Sequence, residues 1–220
     1  MPRVGVVLSG CGFLDGAEIH ESVLTLLALD QKGAEIVCCA PNIDVTQVVD
    51  HQTQQPAGET RNVLKESARI ARCDIKNVAD VRAAELDALV LPGGFGAAKN
   101  LCSFADDGPQ CTVNPDVEKL VGDMLAQKKP VGAICIAPAL LARIAGRRGI
   151  KAKLTIGNDA GTAGAIASMG CVHEDCPVTE FALDAENKVV TTPAYMLAQG
   201  PAEVFEGVRK LVDKVLALAG

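Results

Sequence analysis

The sequence predicts an α/β fold: a doubly wound, mostly parallel sheet with helices on both faces and a small antiparallel addition. Three observations predict it. Short apolar runs alternate along the chain with longer segments of helical period. Hydrophobic residues make up 49% of the chain but aromatics only 3%, with no Trp. The core must therefore be packed from Val, Ile, Leu and Ala, as in strands buried on both faces. The length of 220 residues suits one such domain, expected over 1–220, and no repeat, low-complexity segment or linker interrupts it.

RVGVVLS (3–9) is a short apolar run ending in small residues, expected as a buried strand. After the loop GCGFLDG, residues 17–33 fit a helix with an apolar face at 19, 23, 24, 26, 27 and 29, closed by Gly33. EIVCCAP (35–41) is the second strand, with Cys38 and Cys39 expected in the core. Residues 42–60 are polar and weakly patterned, a loop; 60–72 fit a helix. LDALVLPGGFG (86–96) is a strand running into glycines, and 116–129 an amphipathic helix. PVGAIC (130–135) is a strand and IAPALLARIAG (136–146) the following helix. Beyond 150, KLTIG reads as a strand, GTAGAIASMG as a short helix, and CPVTEFALDAENKVVTTP as a hairpin around AEN. An amphipathic helix over 202–220 ends the sequence.

Net charge is −6 with no basic run, which argues against nucleic acid or an anionic membrane as a main partner. No apolar stretch approaches the ~18 residues of a membrane span. The start, MPRVGVVLSG, lacks the pattern of a signal peptide, and a cytoplasmic location is expected. The nine cysteines include no CxxC pair, so neither a zinc knuckle nor a disulfide framework is supported. Gly10-Cys11-Gly12 stands between strand and helix, but a dinucleotide fingerprint would want glycine where Asp15 stands, and no P-loop triplet exists. No metal or cofactor is expected.

In such a sheet, ligands bind beyond the carboxyl ends of the strands. Three loops there qualify: SGCGFLDGAEIHE, PGGFGAAKN and the turn at Cys135. Ala133 and Ala137 stand two residues before and after Cys135, the small residues a nucleophile elbow needs. At such a turn the helix dipole and free N–H groups favour the thiolate. On spacing alone, elbow and ordinary core are equally good readings. Gly93 and Gly94 shift the balance, because backbone amides there, with that of Ile136, can serve as oxyanion donors. Glu18 and Glu21, three apart, share one side of the first helical turn. Glu21 stands among apolar neighbours, where a carboxyl pKa should rise, and can exchange protons with a thiol or with carbon. Glu18 fits better as an exposed first-turn acid. His20 points about 100° away from both neighbours on a helix and is the weaker base.

LSGCGFLDGAEIHE, ETRNVL, PGGFGAAKNL, CIAPA, LTIG and VVTTPAYM together resemble the ElbB proteins, also called enhancing lycopene biosynthesis proteins or isoprenoid biosynthesis glyoxalases. These belong to the ThiJ/PfpI branch of the class-I glutamine-amidotransferase-like superfamily. The resemblance covers essentially the whole chain. It implies a flavodoxin-like sandwich, a homodimer, Cys135 as the reactive cysteine, and Glu21 as the glutamate facing it. It also implies a glutathione-independent, cofactor-free glyoxalase that turns glyoxal into glycolate, with a link to isoprenoid metabolism carried by the family's name. Some relatives are described instead as deglycases.

The chain departs from the wider superfamily in that Ile136, not histidine, follows Cys135, and LTIGN (154–158) holds no histidine either. His51 and His173 lie in segments read as peripheral, so a Cys-His-acid triad and amidase or peptidase activity are not expected. Gly164 stands where the resemblance implies an acid, read as a lost helix cap. A thiolate attacks an aldehyde without further activation. The alternative is a cysteine redox sensor or regulatory protein with incidental aldehyde activity. Four further residues are candidates for the surroundings of the site: Cys11 lining it, Arg61 reaching it across a dimer interface, and Lys99 and Asn100 touching substrate.

Overall fold

The computed structural model describes all 220 residues. Its strands are β1 (Arg3–Val7), β2 (Glu35–Ala40), β3 (Val49–Asp50), β4 (Gln55–Pro56), β5 (Lys76–Asn77), β6 (Ala88–Leu91), β7 (Val131–Ile134), β8 (Lys153–Leu154), β9 (Val172–His173), β10 (Ala182–Asp184) and β11 (Val189–Thr192). Its helices are α1 (Ile19–Gln31), α2 (Val63–Ile70), α3 (Phe95–Lys99), α4 (Phe104–Asp107), α5 (Pro115–Ala126), α6 (Ala137–Arg147), α7 (Ala160–Ser168) and α8 (Pro201–Ala219). Seven strands form one sheet in the order β10-β11-β7-β6-β1-β2-β5, parallel throughout except for the β10–β11 hairpin. The α/β architecture expected from the sequence is the one observed. The predicted hairpin is also present, and it extends the main sheet because β11 pairs in parallel with β7.

Alternation along the strands builds two cores. Val4, Val6 and Leu8 face a cluster with α1, α2 and α8; Val7, Leu89 and Leu91 face one with α5 and α6. The carboxyl ends of β1, β6 and β7 lie side by side, at the point where the chain's direction of winding reverses. Their loops therefore converge on one edge of the sheet, where ligands bind in such folds. All nine cysteines are free, and Cys38 and Cys39 are buried as expected.

α1 departs from its expected face. Ile19, Val23 and Leu27 are each more than 40% exposed, while Glu21, Ser22, Thr25, Ala28 and Leu29 are buried. The helix packs closely against α8, and the inward hydroxyls satisfy themselves locally. Ser22 Oγ donates to Glu18 O at 2.7 Å and Thr25 Oγ1 to Glu21 O at 2.7 Å. Burying them leaves no unpaired polar group. Gly164 needs a second correction: the cap of α7 is intact, with Asp159 accepting from Thr162 N at 2.8 Å, and Gly164 lies exposed inside the helix.

Candidate active site

Cys135 sits between the end of β7 and the start of α6 with φ = 62°, in the left-handed region that disfavours any residue with a Cβ. Such strain persists only where the surroundings impose it. Here Ala133 and Ala137 are wholly buried on either side, and Cys135 N donates to Thr192 O at 2.9 Å, tying the turn to β11. Pro138 fits in the first turn of α6, where no intrahelical N–H is required. The turn is an elbow, one of the two readings that the spacing left open.

Glu21 is wholly buried beneath it. Gly93 N donates to Glu21 Oε2 at 2.9 Å and Tyr195 N to Oε1 at 3.2 Å, so both carboxyl oxygens are held by backbone amides. Glu18 is the N-cap of α1, its Oε2 accepting from Glu21 N at 2.7 Å. Capping turns Glu18 outward and leaves Glu21 pointing to the elbow. Gly93 makes the approach possible: a Cβ there would lie 2.6 Å from Cys135 Cβ and 2.8 Å from Glu21 Oε2. Gly94 has φ = 92°, and a Cβ on it would meet Glu18 N at 2.4 Å.

Burial pushes the Glu21 pKa up to about 8, helped by the neighbouring Glu18 carboxylate. The Cys135 thiol is raised well above its ordinary value, first by burial and then by the negative charge of Glu21. The Gly94 and Ile136 amides pull it the other way. Burial and the adjacent acid outweigh the helix terminus, so the expectation of a favoured resting thiolate is corrected: the cysteine rests as a thiol against a carboxyl of raised pKa.

Cys135 opens onto a cavity of about 470 Å³. Its walls carry Phe13, Phe95, Phe104, Ile136, Tyr195 and Met196, with Glu18 the one charged lining residue. Tyr195 and the phenylalanines were absent from the expected site, although Tyr195 is the only tyrosine in the chain. Its hydroxyl is 2.6 Å from His20 Nδ1, so His20 reaches the cavity only through Tyr195.

The remaining candidates fall elsewhere. The Gly93 amide is already committed to Glu21, leaving Gly94 and Ile136 as the available donors. Asn100 is buried and does not line the cavity. Its Nδ2 donates to Ser9 O (2.9 Å) and Asp15 O (2.8 Å), and its Oδ1 accepts from Thr46 N (3.0 Å), pinning two loops together. Lys99 extends over the Phe95 ring at 5.5 Å. Arg61 is exposed and engaged with Glu59 (2.8 Å from Nε) and Glu66 (3.6 Å from a terminal nitrogen), outside the cavity lining. Cys11 lines a different, more open groove with Ile19, Val23 and Cys38. His51 Nε2 accepts from Leu14 N at 3.3 Å, and His173 Nε2 from Ile156 N at 3.3 Å. Each of the three histidines is engaged away from the sulfur, as the departure from a triad implied.

The geometry has counterparts among known proteins. Residues 11–153 match the DJ-1/PfpI family, and the chain belongs to that family. It is 46% identical to the human glutamine amidotransferase-like class 1 domain-containing protein 3, mitochondrial, over 99% of this chain and 84% of that protein. It is 45% identical to the rat ES1 protein homolog, mitochondrial, with the same coverage of both. A crystal structure of an isoprenoid biosynthesis protein with amidotransferase-like domain from Ehrlichia chaffeensis superposes over the full length of both chains, with a TM-score of 0.94 at 38% identity. The expected cytoplasmic location is overturned by the human and rat relatives, which are mitochondrial proteins by name.

Proposed function

We propose that this DJ-1/PfpI protein is a cofactor-free glyoxalase of the ElbB kind, converting a 2-oxoaldehyde such as glyoxal to the 2-hydroxy acid. One observation carries this assignment: a wholly buried carboxyl, Glu21, is set against the sulfur of an elbow cysteine while all three histidines are engaged elsewhere. Hydrolysis of an amide needs a base that can also protonate a poor leaving group. Addition to an aldehyde needs only a nucleophile and one proton carrier.

Ionised Glu21 takes the Cys135 proton as sulfur bonds to the aldehyde carbon, and passes it to the carbonyl oxygen. The amides of Gly94 and Ile136, which bear on the Cys135 sulfur, are the donors that would stabilise that oxygen as it gains charge. Glu21 then removes the hydrogen on the sulfur-bearing carbon and returns one to the neighbouring carbon. The product of this shift is a 2-hydroxy thioester. Water cleaves it, releasing glycolate from glyoxal and restoring the thiol. One water is consumed and no external oxidant or reductant is required. A pKa near the working pH suits a group that must both take and give a proton.

The raised thiol pKa weighs against the redox-sensor alternative, which needs an accessible thiolate. The proposal is tested with purified Cys135→Ser and Glu21→Gln proteins and glyoxal: both should fold and lose turnover, and wild-type activity in either overturns it. Homodimerisation is part of the same proposal, and light scattering on the eluted protein tests it. The link to isoprenoid biosynthesis is suggested by the function in the name of the similar Ehrlichia protein.

A further inference from the structure

The space in front of Cys135 is far larger than glyoxal requires. Glyoxal is little bigger than two waters, at about 30 Å³ each in the liquid, whereas the cavity holds about 470 Å³. Its lining is also unlike the rest of the molecule. The chain has five phenylalanines and one tyrosine, and Phe13, Phe95, Phe104 and Tyr195 all meet here. Phe13 and Phe95 are each 47% exposed, so two aromatic rings stand half in water at the mouth. Leaving such surface uncovered costs stability unless something apolar covers it.

The electrostatics narrow the ligand further. No lysine or arginine lines the cavity, and its one charged residue is Glu18, with Glu21 buried behind. A carboxylate or phosphate held inside the cavity would meet negative charge with no lining cation to offset it, Lys99 lying over the Phe95 ring at the mouth. We infer that the substrate of this site is a bulky, neutral, apolar 2-oxoaldehyde, aryl or branched-alkyl in its side chain, held by Phe13, Phe95, Phe104 and Tyr195 with its aldehyde carbon at Cys135. The inference rests on the glyoxalase reading of the same site. It also assigns a role to Glu18: the product is a 2-hydroxy carboxylate, and its new charge is repelled where the neutral substrate was accepted. Release of product is thereby favoured over rebinding.

Two measurements on the intact protein test this and separate it from the glyoxalase proposal. The first compares kcat/KM for methylglyoxal, phenylglyoxal and 4-carboxyphenylglyoxal in wild type and Phe104→Ala. Phenylglyoxal should exceed methylglyoxal by about tenfold or more, the scale set by apolar contacts in a specificity pocket. The added carboxylate should cost about tenfold, and Phe104→Ala should shrink the phenylglyoxal-to-methylglyoxal ratio. The second measures protection of Cys135 from iodoacetamide by acetophenone, which occupies the cavity but has no aldehyde to react. Protection is expected in wild type and weaker in Phe104→Ala. Turnover with no preference for the aryl aldehyde, together with no protection by acetophenone, overturns the inference and leaves the glyoxalase proposal standing. Protection by acetophenone with no turnover of any aldehyde supports the apolar ligand class and overturns the chemistry instead.

Discussion

Replacing Glu21 by glutamine should make the protein less stable in acid and more stable in base. In the folded protein Glu21 keeps its proton up to about pH 8; an ordinary glutamate releases it near 4.5. Between those values the folded state holds the extra proton, so this group's contribution is fully present below pH 4.5 and is lost as pH rises towards 8. At 1.36 kcal/mol per unit, the loss is on the order of 1 kcal/mol at pH 5, 3 at pH 7 and 4 at pH 8. Glutamine carries no charge and escapes the loss. It has its own cost, because both carboxyl oxygens accept backbone N–H groups from Gly93 and Tyr195. The side-chain amide must turn its NH₂ toward one of them, leaving donors facing each other at about 1–3 kcal/mol. The stability difference should therefore change sign between about pH 5 and pH 8. Urea unfolding followed by far-ultraviolet circular dichroism, at several pH values for both proteins, measures it. A difference independent of pH would show that Glu21 is not a buried carboxyl of raised pKa.

The same ionisation sets the rate: turnover of glyoxal should climb with pH and level off above about pH 8, and a flat profile from pH 6 to 9 would remove Glu21 as the base. Gly93→Ala places a methyl 2.6 Å from Cys135 Cβ. It should cost about 1–3 kcal/mol of stability and about 100-fold in kcat/KM, read from urea unfolding and steady-state kinetics. Asn100→Ala removes three hydrogen bonds, two of them buried, from a side chain outside the cavity lining. It should lower stability by about 3 kcal/mol with a smaller effect on kcat than Gly93→Ala; the reverse order would mean that Asn100 acts on substrate.

Much of the elbow is legible in the sequence because it is a backbone constraint. A strand that turns into a helix at a residue of positive φ needs small neighbours, and Ala133 and Ala137 record that need. Gly93 and Gly94 likewise record distances no Cβ would survive. The buried face of α1 is not legible in the same way. Its apolar residues lie on several sides, and Ser22 and Thr25 go inward because each hydroxyl finds a carbonyl one turn back. Hydrophobic periodicity is blind to polar groups that satisfy themselves within their own helix.

The sequence by itself determined the α/β class, the order of the main elements, the three loops that form the site, and the absence of a histidine beside Cys135. Only the tertiary structure decided which proton state the Cys135–Glu21 pair rests in, and what surrounds it. Tyr195 stands 174 residues from Glu21 yet donates its N–H to that carboxyl. Phe13 from the loop after β1, and Phe95 and Phe104 from the starts of α3 and α4, meet at one cavity. The helix terminus at Cys135, the local feature, favours a thiolate. Burial and an acid brought from α1 overrule it, because desolvation and charge act through space and depend on residues that only folding brings together.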